Sequence, residues 1–314
     1  MQLIKKIHKF VRVLNILKSY HYIKNKLCLV FVLLSFSQYS QTNLLMDAQK
    51  LCNEKNYDQA IPLINKAILS PETSTDAFAH QMRAYAYIQS YKQKGIGNMA
   101  FLYMVDTAVV AAQKSMKYDV SNEYKTNNET FIKNAAATYY KLCSSQLQDS
   151  LNNTKSEQYY NNFKKYTAIA TPTFDFKQKD IEYYTAVGSI FSDKYTNTNF
   201  NQKYGDVAKT ALLKVLELDS KNISANINLG VLYYNQGATL MKMMDYDVDL
   251  AQLDVIQENA KKLFKQSLPF MIKVYELDPK AERALEGLTG IYTALLEQDK
   301  AEQYRKQQEA LKKK

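Results

Sequence analysis

The chain has 314 residues, of which only 8 are Gly and 5 are Pro. A β fold of many short strands needs more turn-forming residues, so the composition favours helices. Its formal charge is +10, but seven basic and no acidic residues lie in the first forty positions, so the remainder carries only +3. Because that remainder has no clustered basic surface, nucleic-acid binding is not the expected function.

The N-terminal segment has the pattern of a signal peptide. Basic residues precede the apolar run Leu27–Phe36, which at about ten residues is too short to cross a bilayer. Ser35 and Ser37 then supply a small-x-small cleavage pattern. We expect residues 1–37 to be a signal peptide with a long basic n-region, and the mature chain to be exported to the periplasm or cell envelope without a membrane span. The alternative is a retained N-terminal anchor, which would make the chain a membrane-anchored assembly subunit.

From residue 44 onward, apolar residues recur at spacings of three and four, the period of amphipathic helices. Short breaks separate them, such as Asp278-Pro279, where proline cannot continue a helix. The predicted helix pairs are 44–55 with 58–69, 76–93 with 100–117, 129–150 with 155–168, 178–195 with 204–218, 222–244 with 249–277, and 281–296 with 299–312.

Two stretches of the C-terminal half have nearly the same sequence. Lys214–Tyr233 begins KVLELDSK and Lys273–Tyr292 begins KVYELDPK, with six of eight residues identical. Two amphipathic helices joined by a short link cannot bury both of their apolar stripes alone, whereas stacking against similar pairs buries them. The sequence therefore predicts an array of repeated helix pairs.

The first helices of these pairs share a pattern of an apolar residue, a small residue and an aromatic residue. Its members are Leu229-Gly230-x-x-Tyr233, Val187-Gly188-x-x-Phe191, Leu288-Thr289-x-x-Tyr292 and Ala135-Ala136-x-x-Tyr139. On the second helices small residues recur seven apart, as in Ala60 and Ala67. In both patterns the chain resembles the tetratricopeptide repeat (TPR) family, and secreted bacterial members in particular. The resemblance implies an all-α, TPR-like α-solenoid of about six helix pairs over residues 38–314.

The resemblance also implies that the chain binds a partner protein or peptide, because the first helices of TPR arrays line a concave groove. Counted from the first residue of the Leu-Gly pair, the groove positions lie two residues before it and two, five and six after it. The candidate partner-binding residues are Lys133, Tyr140, Lys141, Ser189, Asp193, Ile227, Tyr234 and Asn235. The resemblance does not extend to chaperone-tail recognition, since Ala137 stands where the carboxylate clamp of chaperone-binding TPR domains has Asn.

The spacing of the repeats departs from the family's period of about 34 residues. The matched first-helix positions are 52, 42 and 59 residues apart, which implies longer helices or inserted loops. The largest extension, residues 238–262, is predicted to be the ends of two long helices. It either packs only on itself or presents an adaptable, Met-rich docking surface around Met241 to Met244.

No constellation of residues points to catalysis. After the leader the chain has one histidine, His80, and no Cys or His partner lies at metal-ligand spacing. We therefore expect no enzyme activity, cofactor or metal, and a monomeric binding protein; a small-ligand receptor is the alternative. Cys52 and Cys143 lie on first helices two repeats apart, so both are expected to be free thiols.

Overall fold

The computed structural model describes residues 43–149, 153–242 and 249–312, and every helix expected in that part of the chain is present. The predicted leader, residues 1–37, lies outside the described residues. The first helix, α1, covers 43–53. The others are α2 (Tyr57–Ala67), α3 (Ala77–Gln93), α4 (Leu102–Tyr118, after a 3-10 turn at Met99–Phe101), α5 (Lys125–Asp149), α6 (Thr154–Ala170), α7 (Lys177–Asn197), α8 (Gln202–Leu218), α9 (Ile223–Lys242), α10 (Leu250–Leu277), α11 (Glu282–Ala294) and α12 (Gln298–Lys312).

These helices form two compact units. The N-terminal unit contains the described residues up to Thr138 together with Lys165–Pro172, and the C-terminal unit contains Tyr139–Lys164 and the described residues from Thr173 onward. The division falls within α5 and α6, where the sequence predicts one continuous repeat domain. No helix of the described residues is long and apolar enough to span a bilayer.

In the C-terminal unit each helix from α7 to α12 packs against the next, and α9 also packs against α7 and α11. The three first helices α7, α9 and α11 are therefore neighbours, and α8, α10 and α12 pack as their partners. In the N-terminal unit α3 packs against both α2 and α4. This stacking of helix pairs confirms the all-α repeat fold expected from the sequence.

The repeated ELD sequence ends two of the second helices in the same way. Asp219 and Asp278 follow α8 and α10 in nearly identical extended conformations, with φ/ψ of −147°/91° and −143°/94°. Each carboxylate accepts a hydrogen bond from the backbone N–H two residues later, that of Lys221 or Lys280. The side chain thus satisfies a backbone donor in the link to the next helix, which gives the repetition of this sequence a structural reason.

Glycines lie where paired helices touch, as the repeat pattern predicts. A Cβ atom added to Gly230 would lie 2.8 Å from Met271 Cε on α10, and one added to Gly188 would lie 2.4 Å from Leu212 Cγ on α8. The Gly230 carbonyl also accepts a 2.6 Å hydrogen bond from the buried Ser267 hydroxyl. The small residues therefore permit close approach of the two backbones.

Candidate functional site

Two adjacent cavities lie along the helices α7, α9 and α11 of the C-terminal unit. The larger has a volume of about 610 Å³ and the smaller about 300 Å³, and three side chains line both: Asp193, Asn228 and Arg283. We call this continuous surface the α7/α9/α11 groove. The larger volume lies within the range of about 300–1,000 Å³ that ligand pockets have.

The floor of the larger cavity is apolar and tightly packed. Leu232, Met271 and Ile291 line it and are buried. Gly287 belongs to the same floor because a Cβ atom there would lie 2.9 Å from Met271 Sδ. Above this floor, Val231 remains 41% exposed. The cavity thus has a fixed apolar base and an accessible apolar wall.

Tyr234 belongs both to the protein core and to the wall of the cavity. Its ring centroid is 5.5 Å from that of Phe264 on α10, and a Cβ atom added to Gly290 would lie 3.3 Å from its hydroxyl oxygen. The side chain is half-buried and lines the larger cavity. The expectation that Tyr234 only faces a groove is therefore incomplete, because part of its ring packs against α10.

The polar lining has few internal partners. Asn228 Nδ2 donates a 2.9 Å hydrogen bond to Ser189 Oγ, which joins α9 to α7. The hydroxyl oxygens of Thr185 and Ser192 are buried on α7 and have no hydrogen-bond partner within the described residues. A buried hydroxyl without a partner is costly, so this face of α7 has hydrogen-bonding capacity that a bound group could satisfy.

Five of the eight candidate residues line the groove. Asp193, Tyr234 and Asn235 line the larger cavity, and Ser189 and Ile227 line the smaller one together with Asp193. The register taken from the repeat pattern therefore brings these five side chains of α7 and α9 to one surface. Their role in binding stays a prediction.

The three candidates on α5 lie elsewhere. Lys133 is exposed and belongs to the N-terminal unit, and Lys141 is exposed in the C-terminal unit without lining either cavity. The Tyr140 hydroxyl donates a 3.0 Å hydrogen bond to Glu182, and the Lys179 ammonium lies 4.9 Å from its ring centroid. Burial and the Glu182 carboxylate raise the pKa of Tyr140. These contacts occupy Tyr140 within its own unit.

Sequence reasoning missed several lining residues on α11 and others on α7, α9 and α10. Applied to Leu288, the same register selects Glu286 and Gly290, two residues before and after it, and both line the larger cavity. Arg283 and Asn228 lie at positions that the register does not include, and no local sequence signal identifies them. Their place in the groove follows from the stacking of α9 between α7 and α11.

The described part of the extension leaves apolar side chains exposed at the start of α10. Leu250 is 80% exposed and Val255 is 61% exposed, and no residue of α10 is buried before Ala260. Met243 and Met244, at the centre of the predicted Met-rich surface, lie outside the described residues. The helices α9 and α10 do extend here as the sequence predicts.

The residues considered for chemistry are held in structural roles. His80 is 1% exposed; its Nε2 is 2.8 Å from the Ser74 carbonyl oxygen, and its ring stacks on Tyr118. Cys52 and Cys143 are both buried and unbridged, and burial raises the pKa of each thiol to about 11. Within the described ranges, no three His, Cys, Asp or Glu side chains are placed to hold a metal ion.

Comparison with known proteins gives similar solved structures only. No protein-family model matches the chain. No curated protein is similar to it. The crystal structure of the MamA protein is 18% identical, with 74% of this chain and 92% of that chain covered, at a TM-score of 0.33.

Two further similar solved structures are of tetratricopeptide repeat proteins. A tetratricopeptide repeat protein from Parabacteroides merdae is 14% identical, with 87% of this chain and 93% of that chain covered, at a TM-score of 0.24. The TPR2AB domain of yeast Sti1, in complex with pHSP90, is 15% identical, with 87% and 98% covered, also at 0.24. With TM-scores this low, the assignment of the fold depends on the helix pairs described above.

Proposed function

We propose that this chain is a non-enzymatic scaffold that binds a partner protein or peptide in the α7/α9/α11 groove. The observation that supports this most directly is the larger cavity, which combines a buried apolar floor with exposed Val231 and a polar rim. Protein interfaces have this arrangement, in which a buried apolar centre is surrounded by polar groups. Of the predicted residues, Asp193, Tyr234 and Asn235 line this cavity, and Ser189 and Ile227 line the smaller cavity beside it.

The proposal places the protein in the periplasm or cell envelope as a monomer. The support for this location is the basic segment and apolar run that precede residue 38. Intact-mass measurement of the native protein tests it: loss of residues 1–37 is the expected result. A chain that still carries its basic leader would contradict export with cleavage at this position.

A photo-crosslinking amino acid at single positions tests the groove. We expect crosslinks to a partner in envelope extract from position 231, because Val231 projects from the cavity wall on α9. The matched control is Leu213, which is 36% exposed on α8 and lines neither cavity. Equal crosslinking from both positions, or crosslinking from position 213 alone, would show that the partner uses another surface.

A further inference from the structure

Three charged side chains on the rim of the larger cavity have no ion-pair partner within the described residues. They are Asp193 on α7 and Arg283 and Glu286 on α11, all of them exposed. Elsewhere in the C-terminal unit, some exposed charges are paired with a residue three positions away, as in Lys300–Glu297 at 2.6 Å and Lys273–Glu276 at 3.2 Å. These three exposed charges are therefore available to a bound partner.

The two carboxylates outnumber the single guanidinium, so the rim of the larger cavity carries a net charge of −1. Glu286 lines only this cavity, whereas Arg283, in the first turn of α11, also lines the smaller one. The positive end of the α11 dipole adds to Arg283 at that border. Asp193 also lines both cavities and offsets Arg283 at their border, so the net negative charge of the rim lies on the side of Glu286.

We propose that the partner inserts a bulky apolar side chain over the floor formed by Met271 and Ile291 and places a neighbouring Lys or Arg against Glu286 and Asp193. This inference rests on the proposed function, since it names the chemistry of the segment that the groove binds. Such a segment supplies the charge that the rim lacks. An acidic segment or a nucleic-acid phosphate would instead meet both carboxylates.

Selection of phage-displayed random dodecapeptides on the full chain tests the inference. We expect the selected peptides to share a large apolar residue next to Lys or Arg. The affinity of a synthetic peptide with the shared sequence, measured by fluorescence anisotropy, should fall with rising salt because its ion pairs are exposed.

Variants of the charged residues should change the affinity for the peptide in a predictable direction. Glu286→Gln and Asp193→Asn should each weaken binding of the basic peptide about 2- to 5-fold, as expected for an exposed ion pair. Arg283→Gln should strengthen it, because it removes a repulsive charge. Glu309→Gln on α12, exposed and outside both cavities, is the matched control and should change nothing.

The outcomes separate this inference from the proposed function. If the selected peptides lack basic residues but bind the Val231→Asp variant of the protein more weakly, the groove remains the binding surface. That result would overturn the charge assignment alone. Stronger binding for Glu286→Gln together with weaker binding for Arg283→Gln would overturn it too and indicate an acidic segment. If no peptide is selected, or if binding is indifferent to Val231→Asp, both proposals are wrong.

Discussion

Helices α3 and α9 are first helices in the middle of their units, yet one is sealed and the other is open. Every residue of α3 from Ala77 to Tyr91 is buried or half-buried. In α9, by contrast, Ile223, Ser224 and Val231 are exposed. Both helices pack between neighbours in the same kind of stacked pair, so the repeat arrangement alone does not account for the difference.

Side-chain volume accounts for it. The ring of Tyr85 on α3 lies between those of Tyr57 and Phe131, with centroid distances of 5.9 and 6.3 Å. Around α9 the corresponding space is bordered by Gly287 and Gly290 of α11, and a cavity of about 610 Å³ remains. Aromatic residues of α2 and α5 thus cover α3, whereas glycines of α11 border the cavity beside α9. This open surface beside α9 is where we place the binding function.

Truncation of a tyrosine should have its largest effect on the sealed helix. Tyr91 is 1% exposed, and its hydroxyl accepts a 2.8 Å hydrogen bond from the Gly97 amide. Tyr91→Ala should lower the free energy of unfolding by about 3–5 kcal/mol, because it leaves a cavity and an unpaired amide. Tyr91→Phe, the control, should lose only about 0.5–1.5 kcal/mol. Urea denaturation measures both; equal values would mean that the ring contributes little packing.

A larger side chain at Gly230 tests how closely α9 packs against α10. Gly230→Leu should lower the free energy of unfolding by about 1–3 kcal/mol, because the new side chain collides with Met271. Val231→Leu, the adjacent substitution on the exposed side of α9, should change it by less than about 0.5 kcal/mol. If thermal melts show the two variants to be equally stable, Gly230 is not a required close contact.

Tyr234→Ala should lower the free energy of unfolding less than Tyr91→Ala does. Its ring contacts Phe264 and also lines the cavity, so we expect a loss of about 1–2 kcal/mol in the free energy of unfolding. The same variant should lose partner binding, because tyrosine is among the residues that most often act as binding hot spots. A loss of stability as large as that of Tyr91→Ala would assign Tyr234 to the core alone.

The sealed helix should also give the protein a pH-dependent stability. Burial lowers the pKa of His80 from the usual 6.5, helped by the positive charges of Lys114 and Arg83 and opposed by the Ser74 carbonyl and Asp76. Below pH 6.5, His80 is therefore protonated more readily in the unfolded chain than in the folded chain. The free energy of unfolding is unaffected above that pH and falls as the pH decreases from 6.5 towards the folded pKa.

The His80→Gln variant isolates this contribution. Between pH 7 and 5 its free energy of unfolding should decrease less steeply than that of the unsubstituted protein, measured by urea denaturation at several pH values. Lowered carboxylate pKa values, such as that of Asp58 beside Lys94, act at more acidic pH in both proteins. Identical slopes for the two proteins would show that His80 does not titrate differently in the folded state.

The limits of the helices follow closely from local sequence. The sequence predicts the longest helix, α10, at 249–277, and it runs from Leu250 to Leu277, because Asp249 caps its start and Asp278-Pro279 ends it. The register of the small residues was likewise predictable, since Gly188 and Gly230 face α8 and α10 as the pattern requires. Capping, proline geometry and helical periodicity act over a few residues, so one sequence is enough to locate them.

The sequence by itself thus determined the helix pairs, their buried stripes and the inward register of Ser189, Asp193, Ile227, Tyr234 and Asn235. Only the tertiary structure decided which of those faces stay open. It showed Tyr140 engaged with Glu182 and Lys179, and it brought Arg283 and Glu286 to the same cavity as Asp193. The physical reason is that the space beside a helix depends on the volume and charge of side chains from other helices, and no local pattern encodes these.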